Sequence, residues 1–403
     1  MMSRRLLLAA APAILTGAPR PWSEVEKLLA SGNVKGKLAK DELPTPSLIV
    51  DLDGLESNIN KMAAYLKAQG RGFRPHAKTH KCAEIARRCM AAGAVGACAA
   101  KIGEAEVLAS KGIKGLLLTT AMVGKYRIER AVRLSAKNPD TIFSVDNAQN
   151  VSDLNDAAKA AGRKIRVAVD LAVSGRTGIT PGEPAVGLVE HIVKQSNLEF
   201  QGIQAYAGHC AHIIGFEKRK KGSEEAMGRA VETRRMLEKK GIQCSWLSGG
   251  STGTYNIDSH IDGITEIQPG SFLFMDIDYN RIGGKDGSDF YGDFKNSLTV
   301  IATAYSKPSD DFVILDAGLK AFSTDKPFTP EARAIQGAKY AWAGDEHGKL
   351  DLREAAKKVN LGDRVELVIP HCDPSVNLYD KLIAVRGQQV EAVWAIDARG
   401  KIQ

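Results

Sequence analysis

Eight short apolar runs alternate with helix-like segments between residues 72 and 267, and this alternation constrains the fold more than any other feature of the chain. The strand-like runs cover 72–75, 94–99, 115–119, 141–145, 165–171, 200–206, 244–247 and 263–267. Amphipathic segments such as 104–110 and 185–195 separate most of them. Parallel strands that are each followed by a helix close into an eight-stranded barrel. The sequence therefore predicts an α/β protein built on a (β/α)8 TIM-type barrel.

A second domain is predicted beyond Gly270, where strand-like runs follow one another with little helix between them. These runs cover 298–305, 311–317, 363–369, 381–386 and 389–396. Gly, Pro and Asp residues bound them, which is typical of a β-domain. We predict a connector over 21–43, a strand over 44–52 that joins the β-domain, the barrel over 53–275 and the C-terminal β-domain over 276–403.

The formal net charge of +8 would by itself permit nucleic-acid binding. Lys and Arg are spread along the chain, however, and the only dense run, Lys218-Arg219-Lys220-Lys221, has no aromatic interleaving. We interpret that run as a solvated face and expect no nucleic-acid partner. The six cysteines lack paired C-x-x-C spacing, which favours reduced thiols.

Residues 1–20 resemble a twin-arginine export signal. Ser3-Arg4-Arg5 precedes an apolar run over 6–15, and Thr16-Gly17-Ala18 offers small residues for cleavage. This pattern predicts a periplasmic protein, with a cytoplasmic protein that carries a short N-terminal helix as the alternative. The apolar run is too short to span a bilayer, and we expect no stable membrane association.

Lys78 is the first candidate for chemistry, because it lies between His76 and His80 at the end of the first predicted barrel strand. We expect burial and nearby positive charge to lower the pKa of Lys78, which would leave a neutral amine able to attack an aldehyde. A basic loop with a solvated lysine is the alternative.

Polar residues also follow later strands, where a barrel builds its active site. Ser174-Gly175-Arg176-Thr177-Gly178 follows the fifth predicted strand, and Tyr206-Ala207-Gly208-His209, with His212 beyond it, follows the sixth. The loop 248–254, after the seventh, is rich in Gly, Ser and Thr, which suits the close approach of backbone N–H groups to a phosphate. A reactive lysine and a phosphate cradle in one barrel indicate pyridoxal 5'-phosphate (PLP).

Five motifs occur in a fixed order along the chain. They are Pro75-His76-Ala77-Lys78-Thr79-His80-Lys81, Gly175-Arg176-Thr177-Gly178, Tyr206-Ala207-Gly208-His209, Gly249-Gly250-Ser251-Thr252-Gly253-Thr254 and Pro370-His371-Cys372-Asp373-Pro374. Together they resemble the metal-activated D-threonine aldolase and D-serine dehydratase-like group, fold type III PLP enzymes related to alanine racemase. The resemblance runs from about Leu43 to the last residue. It implies a barrel with a C-terminal β-domain, and a homodimer.

The resemblance also implies cofactor roles. Lys78 would hold PLP as an internal aldimine, and Arg176 would face the pyridine nitrogen and keep it unprotonated. Tyr206 would pack near the cofactor or hydrogen-bond to it, with an interior barrel aromatic as the alternative. The phosphate would be held by Ser248, Gly249, Gly250, Ser251, Thr252, Gly253 and Thr254.

His371 and Asp373 are the predicted metal ligands. On an extended segment both side chains would leave the same face and could bind one ion, while Cys372 would point the other way. Imidazole and carboxylate with water suit Mn²⁺ first, with Mg²⁺ or Co²⁺ as alternatives. Related dehydratases tend to carry cysteine at the second position, a softer ligand that favours Zn²⁺, so Asp373 favours an aldolase.

The resemblance therefore implies a carbon–carbon lyase that cleaves D-β-hydroxy-α-amino acids to glycine and an aldehyde. His212 is the favoured base, with His209 second. A D-serine or D-3-hydroxyaspartate dehydratase is the alternative, and ammonia release would identify it. A non-catalytic PLP-binding protein is a further alternative, but it would have no use for His371 and Asp373.

Overall fold

The computed structural model describes residues 20–403. The export-like pattern lies outside these residues, so the periplasmic location stays a prediction. Between Arg20 and the last residue, no helix combines the length and the apolar character needed to cross a bilayer.

Strands and helices are numbered here in chain order. The strands are β1 (Ser47–Asp51), β2 (Gly72–Phe73), β3 (Ala97–Ala99), β4 (Leu116–Leu118), β5 (Ile142–Val145), β6 (Ile165–Leu171), β7 (Leu198–Ala205), β8 (Leu247–Gly249), β9 (Glu266–Ile267), β10 (Leu298–Ser309), β11 (Phe312–Leu315), β12 (Glu331–Ala332), β13 (Lys339–Trp342), β14 (Gly348–Asp351), β15 (Arg364–Val368), β16 (Lys381–Arg386) and β17 (Gln389–Ala395). The α-helices are α1 (Trp22–Ser31), α2 (Leu52–Ala68), α3 (Ala83–Ala91), α4 (Ile102–Ser110), α5 (Lys125–Lys137), α6 (Ala148–Ala160), α7 (Glu183–Val193), α8 (Phe216–Lys239), α9 (Tyr255–Asp258), α10 (Ile277–Asn280) and α11 (Cys372–Val376).

Strands β2 to β9 form one parallel sheet that runs in chain order from β3 to β9, with β2 beside β9. A parallel bridge between His76 and Cys98 joins the two ends of this sheet. Alternate residues of β6 point to opposite sides: Val167 and Val169 belong to the large core, whereas Ala168 packs with Cys98 in a separate cluster. The (β/α)8 barrel predicted from the alternation is confirmed.

The remaining strands, β1 and β10 to β17, form the nine-stranded sheet of the β-domain. Strand β1 lies within it, antiparallel to β10 and parallel to β16. Leu48 and Val50 belong to the large core, whereas Ile49 packs on the opposite face with Val25 of α1. The segment 21–43, predicted as a connector, thus contains a helix that covers one face of this sheet.

Arg219 of α8 is fully buried, so the prediction of a solvated face over 218–221 is wrong at this residue. Its guanidinium donates hydrogen bonds of 2.7–2.9 Å to the carbonyl oxygens of Ile213, Gly253, Ile282 and Gly283. Arginine can do this because its five N–H donors form a rigid fork. The side chain thus connects the glycine-rich loop to the segment after β7 and to the segment after α10.

Replacing Arg219 with leucine is expected to lower the free energy of unfolding by about 3 kcal/mol or more, because buried carbonyls lose their donors. The measurement is urea denaturation of both proteins. Lys221→Leu is the matched control, because Lys221 is exposed on the same helix, and its effect should stay within about 0.5 kcal/mol. Equal stability of Arg219→Leu and the wild type would refute the role given to Arg219.

Candidate active site

A pocket of about 260 Å³ opens where the barrel strands end. Its wall includes three residues predicted to bind PLP, which are Lys78, Arg176 and Tyr206. It also includes Asp170 and Gln204, which belong to none of the sequence motifs. The three predicted residues come from the loops after β2, β6 and β7. Parallel topology brings these loops to one end of the barrel, so residues far apart in sequence share one pocket.

Lys78 lies in a short 3-10 turn, Ala77–Thr79, that follows β2. His76 opens this turn, and its Nδ1 accepts a hydrogen bond from the Lys78 N–H. The Nζ atom of Lys78 lies 2.5 Å from Oδ1 of Asp373. Thr79 donates to the other oxygen of that carboxylate at 3.1 Å. The turn therefore directs Lys78 at the β-domain segment that carries the predicted metal ligands.

The structure contradicts the predicted lowering of the Lys78 pKa. Burial is the largest single effect and lowers it, but the Asp373 carboxylate, together with Tyr206 and Cys372, raises the pKa of Lys78 above its ordinary value. The same contact holds the pKa of Asp373 below its ordinary value, against the opposing effect of burial. The two residues are 295 positions apart, so the counter-ion of Lys78 could not be found by inspecting its own motif.

The two histidines beside Lys78 do not supply the expected positive charge. Burial, reinforced by the Lys78 ammonium, holds the pKa of His76 well below its ordinary value. Burial lowers the pKa of His80 to about 4. Both imidazoles are therefore neutral at pH 7, and the electrostatics around Lys78 are dominated by the carboxylate it contacts.

Arg176 and Tyr206 stack on each other, with the guanidinium carbon 5.3 Å from the centre of the Tyr206 ring. The loop that carries Arg176 is fastened to β6, because Thr177 donates to Asp170 at 2.9 Å. Gln204 of β7 donates to the other Asp170 oxygen at 3.0 Å. Burial raises the pKa of Asp170 to about 6. These contacts fix the cation and the aromatic ring that face the pocket.

The glycine-rich loop begins inside the barrel. Ser248 is part of β8 and donates to Glu266 at 2.6 Å, so its hydroxyl is engaged in the barrel interior and not in the loop. A Cβ on Gly249 would lie 2.1 Å from the carbonyl oxygen of Ala205, and Gly250 has φ +74°. Both positions therefore require glycine.

The rest of this loop holds its own hydroxyl groups in place. Thr254 donates to Asp258 at 2.5 Å and accepts from the Ser251 N–H at 3.1 Å. The N–H groups of Thr252 and Gly253 donate no hydrogen bond to any of residues 20–403. Adjacent free donors in a loop of small residues suit the oxygens of a phosphate.

His212 lies in a second, larger cleft of about 780 Å³ that it shares with Asp278. Its Nδ1 lies 2.9 Å from Oδ2 of Asp278, and Nζ of Lys326 lies 2.8 Å from the same oxygen. Burial opposes ionisation, but the contacts with His212 and Lys326 lower the pKa of Asp278 to about 2. Nδ1 of His212 and Oδ2 of Asp278 are close enough for an ion pair but are not aligned for a hydrogen bond, so Asp278 is a nearby negative charge for the His212 ring.

His209, the second candidate base, is exposed, and its Nε2 lies 3.3 Å from Sγ of Cys210. Neither His209 nor His212 lines the pocket that contains Lys78. His212 is favoured over His209 because a carboxylate lies 2.9 Å from its ring.

The extended geometry predicted for His371 and Asp373 is wrong, because α11 begins at Cys372 and places Asp373 in the first helical turn. Pro374 also lies in that turn, where a missing N–H costs nothing. Nδ1 of His371 lies 2.7 Å from Oδ2 of Asp325, while Asp373 faces Lys78. Both predicted ligands thus keep polar contacts, although they do not leave one face of a strand.

Helix α10 joins the base to the metal-ligand segment. Oδ2 of Asp276, immediately before α10, accepts a hydrogen bond from the Cys372 N–H at 2.8 Å. The Asp278 N–H donates to the carbonyl oxygen of Pro370 at 3.2 Å. The carboxylate that orients His212 is therefore attached directly to the segment of the predicted metal ligands.

The pocket residues fit PLP, whereas the divalent ion stays a prediction. Lys78 supplies an amine and Arg176 a permanent cation at the pocket. The loop 248–254 does not line this pocket, although Thr252 and Gly253 keep free N–H donors. Within the described residues no three His, Cys, Asp or Glu side chains are grouped as a metal cage. An ion held by His371 and Asp373 would complete its shell with water, as hard divalent ions commonly do.

Sequence reasoning missed Asp278, Asp325 and Lys326. Each is a charged residue outside any recognisable motif, and its partner lies far away in sequence, as for Asp325 and His371. One signal could have found Asp278, because it follows the last barrel strand, where polar residues tend to reach the active site.

Comparison with known proteins relates most of the chain to one group. The model of the alanine racemase N-terminal domain matches residues 50–278, and a serine dehydratase domain model matches residues 297–385. The chain is 37% identical over 365 residues to 3-hydroxy-D-aspartate aldolase of Paracoccus denitrificans strain Pd 1222, covering 90% of this chain and 94% of that protein. It is 37% identical over 357 residues to D-threonine aldolase of Arthrobacter sp., covering 88% and 93%.

A solved structure and a further relative extend the comparison. The crystal structure of D-threonine aldolase from Filomicrobium marinum superposes with a TM-score of 0.87 at 34% identity, covering 92% of this chain and 99% of that one. D-threo-3-hydroxyaspartate dehydratase of Delftia sp. strain HT23 is 26% identical over 380 residues, covering 90% and 96%. The aldolases among these relatives are thus more similar to the chain than this dehydratase is.

Proposed function

We propose a function from the premise that this chain belongs to the alanine racemase-like, fold type III PLP family of D-threonine and 3-hydroxy-D-aspartate aldolases. The proposed function is the cleavage of D-β-hydroxy-α-amino acids with a divalent metal ion. The protein is a PLP-dependent carbon–carbon lyase. The products would be glycine and an aldehyde. The contact between Lys78 and Asp373 carries the proposal, because it sets the lysine that would hold PLP against a carboxylate that would hold the metal.

When bound, PLP takes up the electron pair left on Cα by bond cleavage, and the metal ion acts as a Lewis acid. Lys78, Arg176 and the glycine-rich loop would hold PLP. His371 and Asp373 would hold the ion, with Mn²⁺ as the proposed metal and Mg²⁺ or Co²⁺ as alternatives.

His212 would remove the proton of the substrate β-hydroxyl. Asp278, whose carboxylate lies 2.9 Å from Nδ1, would stabilise the imidazolium that forms. The Cα–Cβ bond would then break, with the β-oxygen becoming the carbonyl oxygen of the aldehyde, and Cα would take up a proton from water to give glycine. His212 would release to water the proton it took from the β-hydroxyl, so that protons balance over one turnover.

Asp373 supports the aldolase over the dehydratase. Its hard, anionic oxygen suits an ion that keeps exchangeable water, whereas cysteine would favour a tightly held Zn²⁺. The aldolases at 37% identity, against 26% for the dehydratase, support the same choice. A homodimer, implied by the family resemblance, stays a prediction.

We expect the holoenzyme, supplied with PLP and Mn²⁺, to release acetaldehyde and glycine from D-threonine. L-threonine is the matched control and should react at a negligible rate, because only one Cα configuration directs the β-hydroxyl towards His212. The measurement is reduction of acetaldehyde by a coupled alcohol dehydrogenase, with ammonia assayed in parallel. Faster release of ammonia from D-serine than of acetaldehyde from D-threonine would replace the aldolase with a dehydratase.

A further inference from the structure

Asp325 and Lys326 are adjacent residues of the β-domain, in the loop between the 3-10 turn Leu319–Ala321 and β12, and each contacts a different part of the site. Asp325 reaches His371, one of the two predicted metal ligands. Lys326 reaches Asp278, the carboxylate beside His212. Of these two neighbouring side chains, one contacts the His371 imidazole and the other contacts the carboxylate beside the His212 imidazole.

The Asp325 contact selects one nitrogen of His371. Oδ2 of Asp325 lies 2.7 Å from Nδ1 of His371, and a carboxylate can only accept a hydrogen bond. The proton therefore sits on Nδ1, and Nε2 keeps the lone pair that a metal ion requires. A carboxylate on the far nitrogen of a ligating histidine fixes the ring and increases its basicity.

Lys326 does not contact His212 itself but the carboxylate of Asp278, which lies beside His212. Its ammonium lies 2.8 Å from Oδ2 of Asp278, the same oxygen that lies 2.9 Å from Nδ1 of His212. Lys326 is only 25% exposed and Asp278 only 12%, so solvent screens this pair weakly. Without the ammonium, Asp278 would be free to turn away from His212.

The loop that carries both residues is itself attached to the metal-ligand segment. Ser323 donates through its Oγ to the carbonyl oxygen of His371 at 3.0 Å. The Ser323 N–H donates to Ser375 of α11 at 3.1 Å, and Ser375 donates to that same carbonyl at 2.7 Å. Asp325 and Lys326 thus start from a fixed backbone, which is what two separate positioning contacts need.

We infer that Asp325 and Lys326 form a paired positioning element: Asp325 orients His371 for metal binding, and Lys326, through Asp278, orients His212 for proton transfer. The inference rests on the proposed function, and it assigns two separable tasks to adjacent residues. Asp325 sets the affinity for the metal ion. Lys326 sets the turnover rate once metal and substrate are bound.

The Asp325 task is tested by titrating Mn²⁺ into the PLP-loaded enzyme by calorimetry. Asp325→Ala is expected to raise the Mn²⁺ dissociation constant about 10- to 100-fold, with a smaller rise for Asp325→Asn, whose amide oxygen can still accept from Nδ1. At saturating Mn²⁺ the kcat for D-threonine should return to within about threefold of wild type. An unchanged dissociation constant in Asp325→Ala would overturn this part of the inference.

The Lys326 task is tested by steady-state kinetics at saturating Mn²⁺. Lys326→Met is expected to lower kcat about tenfold while leaving the Mn²⁺ dissociation constant within about twofold of wild type. Lys326→Arg, which restores the positive charge, should recover most of the lost kcat. A Lys326→Met variant with wild-type kcat would overturn this part.

Lys320→Met is the matched control, because Lys320 forms an exposed ion pair with Glu346 at 2.6 Å in the same domain. It should change neither quantity. If Asp325→Ala and Lys326→Met instead weakened Mn²⁺ binding and kcat together, the loop would be merely structural and the inference would be wrong. Failure of the wild type to cleave D-threonine would refute the proposed function, whereas the Mn²⁺ titration would still decide for or against Asp325.

Discussion

Lys78→Ala should bind PLP without a covalent bond and lose aldolase turnover by about three orders of magnitude or more. The alanine variant has no amine to attach the cofactor or to exchange it for the substrate, and a lost nucleophile commonly costs at least this much. On the rate scale this is about 4 kcal/mol of activation free energy. Steady-state release of acetaldehyde from D-threonine measures the loss.

The attachment itself is mapped by reducing the holoenzyme with borohydride and sequencing its peptides. The pyridoxyl group should be on Lys78. Lys101→Ala is the matched control, because Lys101 is an exposed lysine at the barrel rim, and it should keep full activity and labelling. A label on Lys81 or Lys101 in the wild type would end the assignment of Lys78.

Asp373→Ala is expected to reduce metal-activated turnover about a hundredfold or more while PLP absorbance persists. A Lewis acid contributes several kcal/mol to the barrier, and Asp373 is the only anionic ligand predicted for it. His371→Ala should behave in the same way. The measurements are kcat at increasing Mn²⁺ and the absorption spectrum of each holoenzyme.

Asp345→Ala serves as the control, because Asp345 is an exposed carboxylate of the same domain. Its activity should match the wild type. Full activity of the wild type in excess EDTA would show that the reaction needs no metal. In that case Asp373 would matter only as the counter-ion of Lys78.

The barrel could be predicted because most of its strands are recognisable in the sequence as short apolar runs. The run 165–171 coincides with β6, in which six of seven residues are buried. The run predicted over 244–247 overlaps the observed strand only at its last residue, because β8 spans Leu247–Gly249. This strand contains Ser248, which donates a hydrogen bond to Glu266 in the next strand. A strand that contains a polar residue hydrogen-bonded inside the barrel does not show an apolar pattern in the sequence.

Parts of the β-domain could not be predicted for a different reason. Strands β13 and β14 are short and alternate with charged residues, and their stability depends on aromatic contacts. Tyr340 and Trp342 of β13 lie 5.2 Å apart between ring centres, and each packs against Phe322, which precedes β12 and lies outside this strand. No local periodicity encodes such a cluster.

The candidate site was predictable where residues sit in motifs and unpredictable where partners are supplied by another element. Lys78, Arg176 and Tyr206 were placed in one pocket by strand order alone. The pKa direction of Lys78 was predicted wrongly because its carboxylate partner belongs to the other domain. His371 and Asp373 were given the wrong backbone because two flanking prolines are compatible with a helical first turn as well as with an extended chain.

Strand β1 has a consequence for the order in which this chain can fold. The ribosome makes Ser47–Asp51 before the barrel, but both neighbours of this strand, β10 and β16, are made after it. Until β16 emerges, Leu48, Ile49 and Val50 have no finished sheet to enter, and closing so long a loop is slow. The β-domain must therefore be completed last, around a barrel already synthesised. In sequence, the barrel is therefore an insertion within the β-domain. Strand β1 can pair with both of its neighbours only after the whole chain has been made.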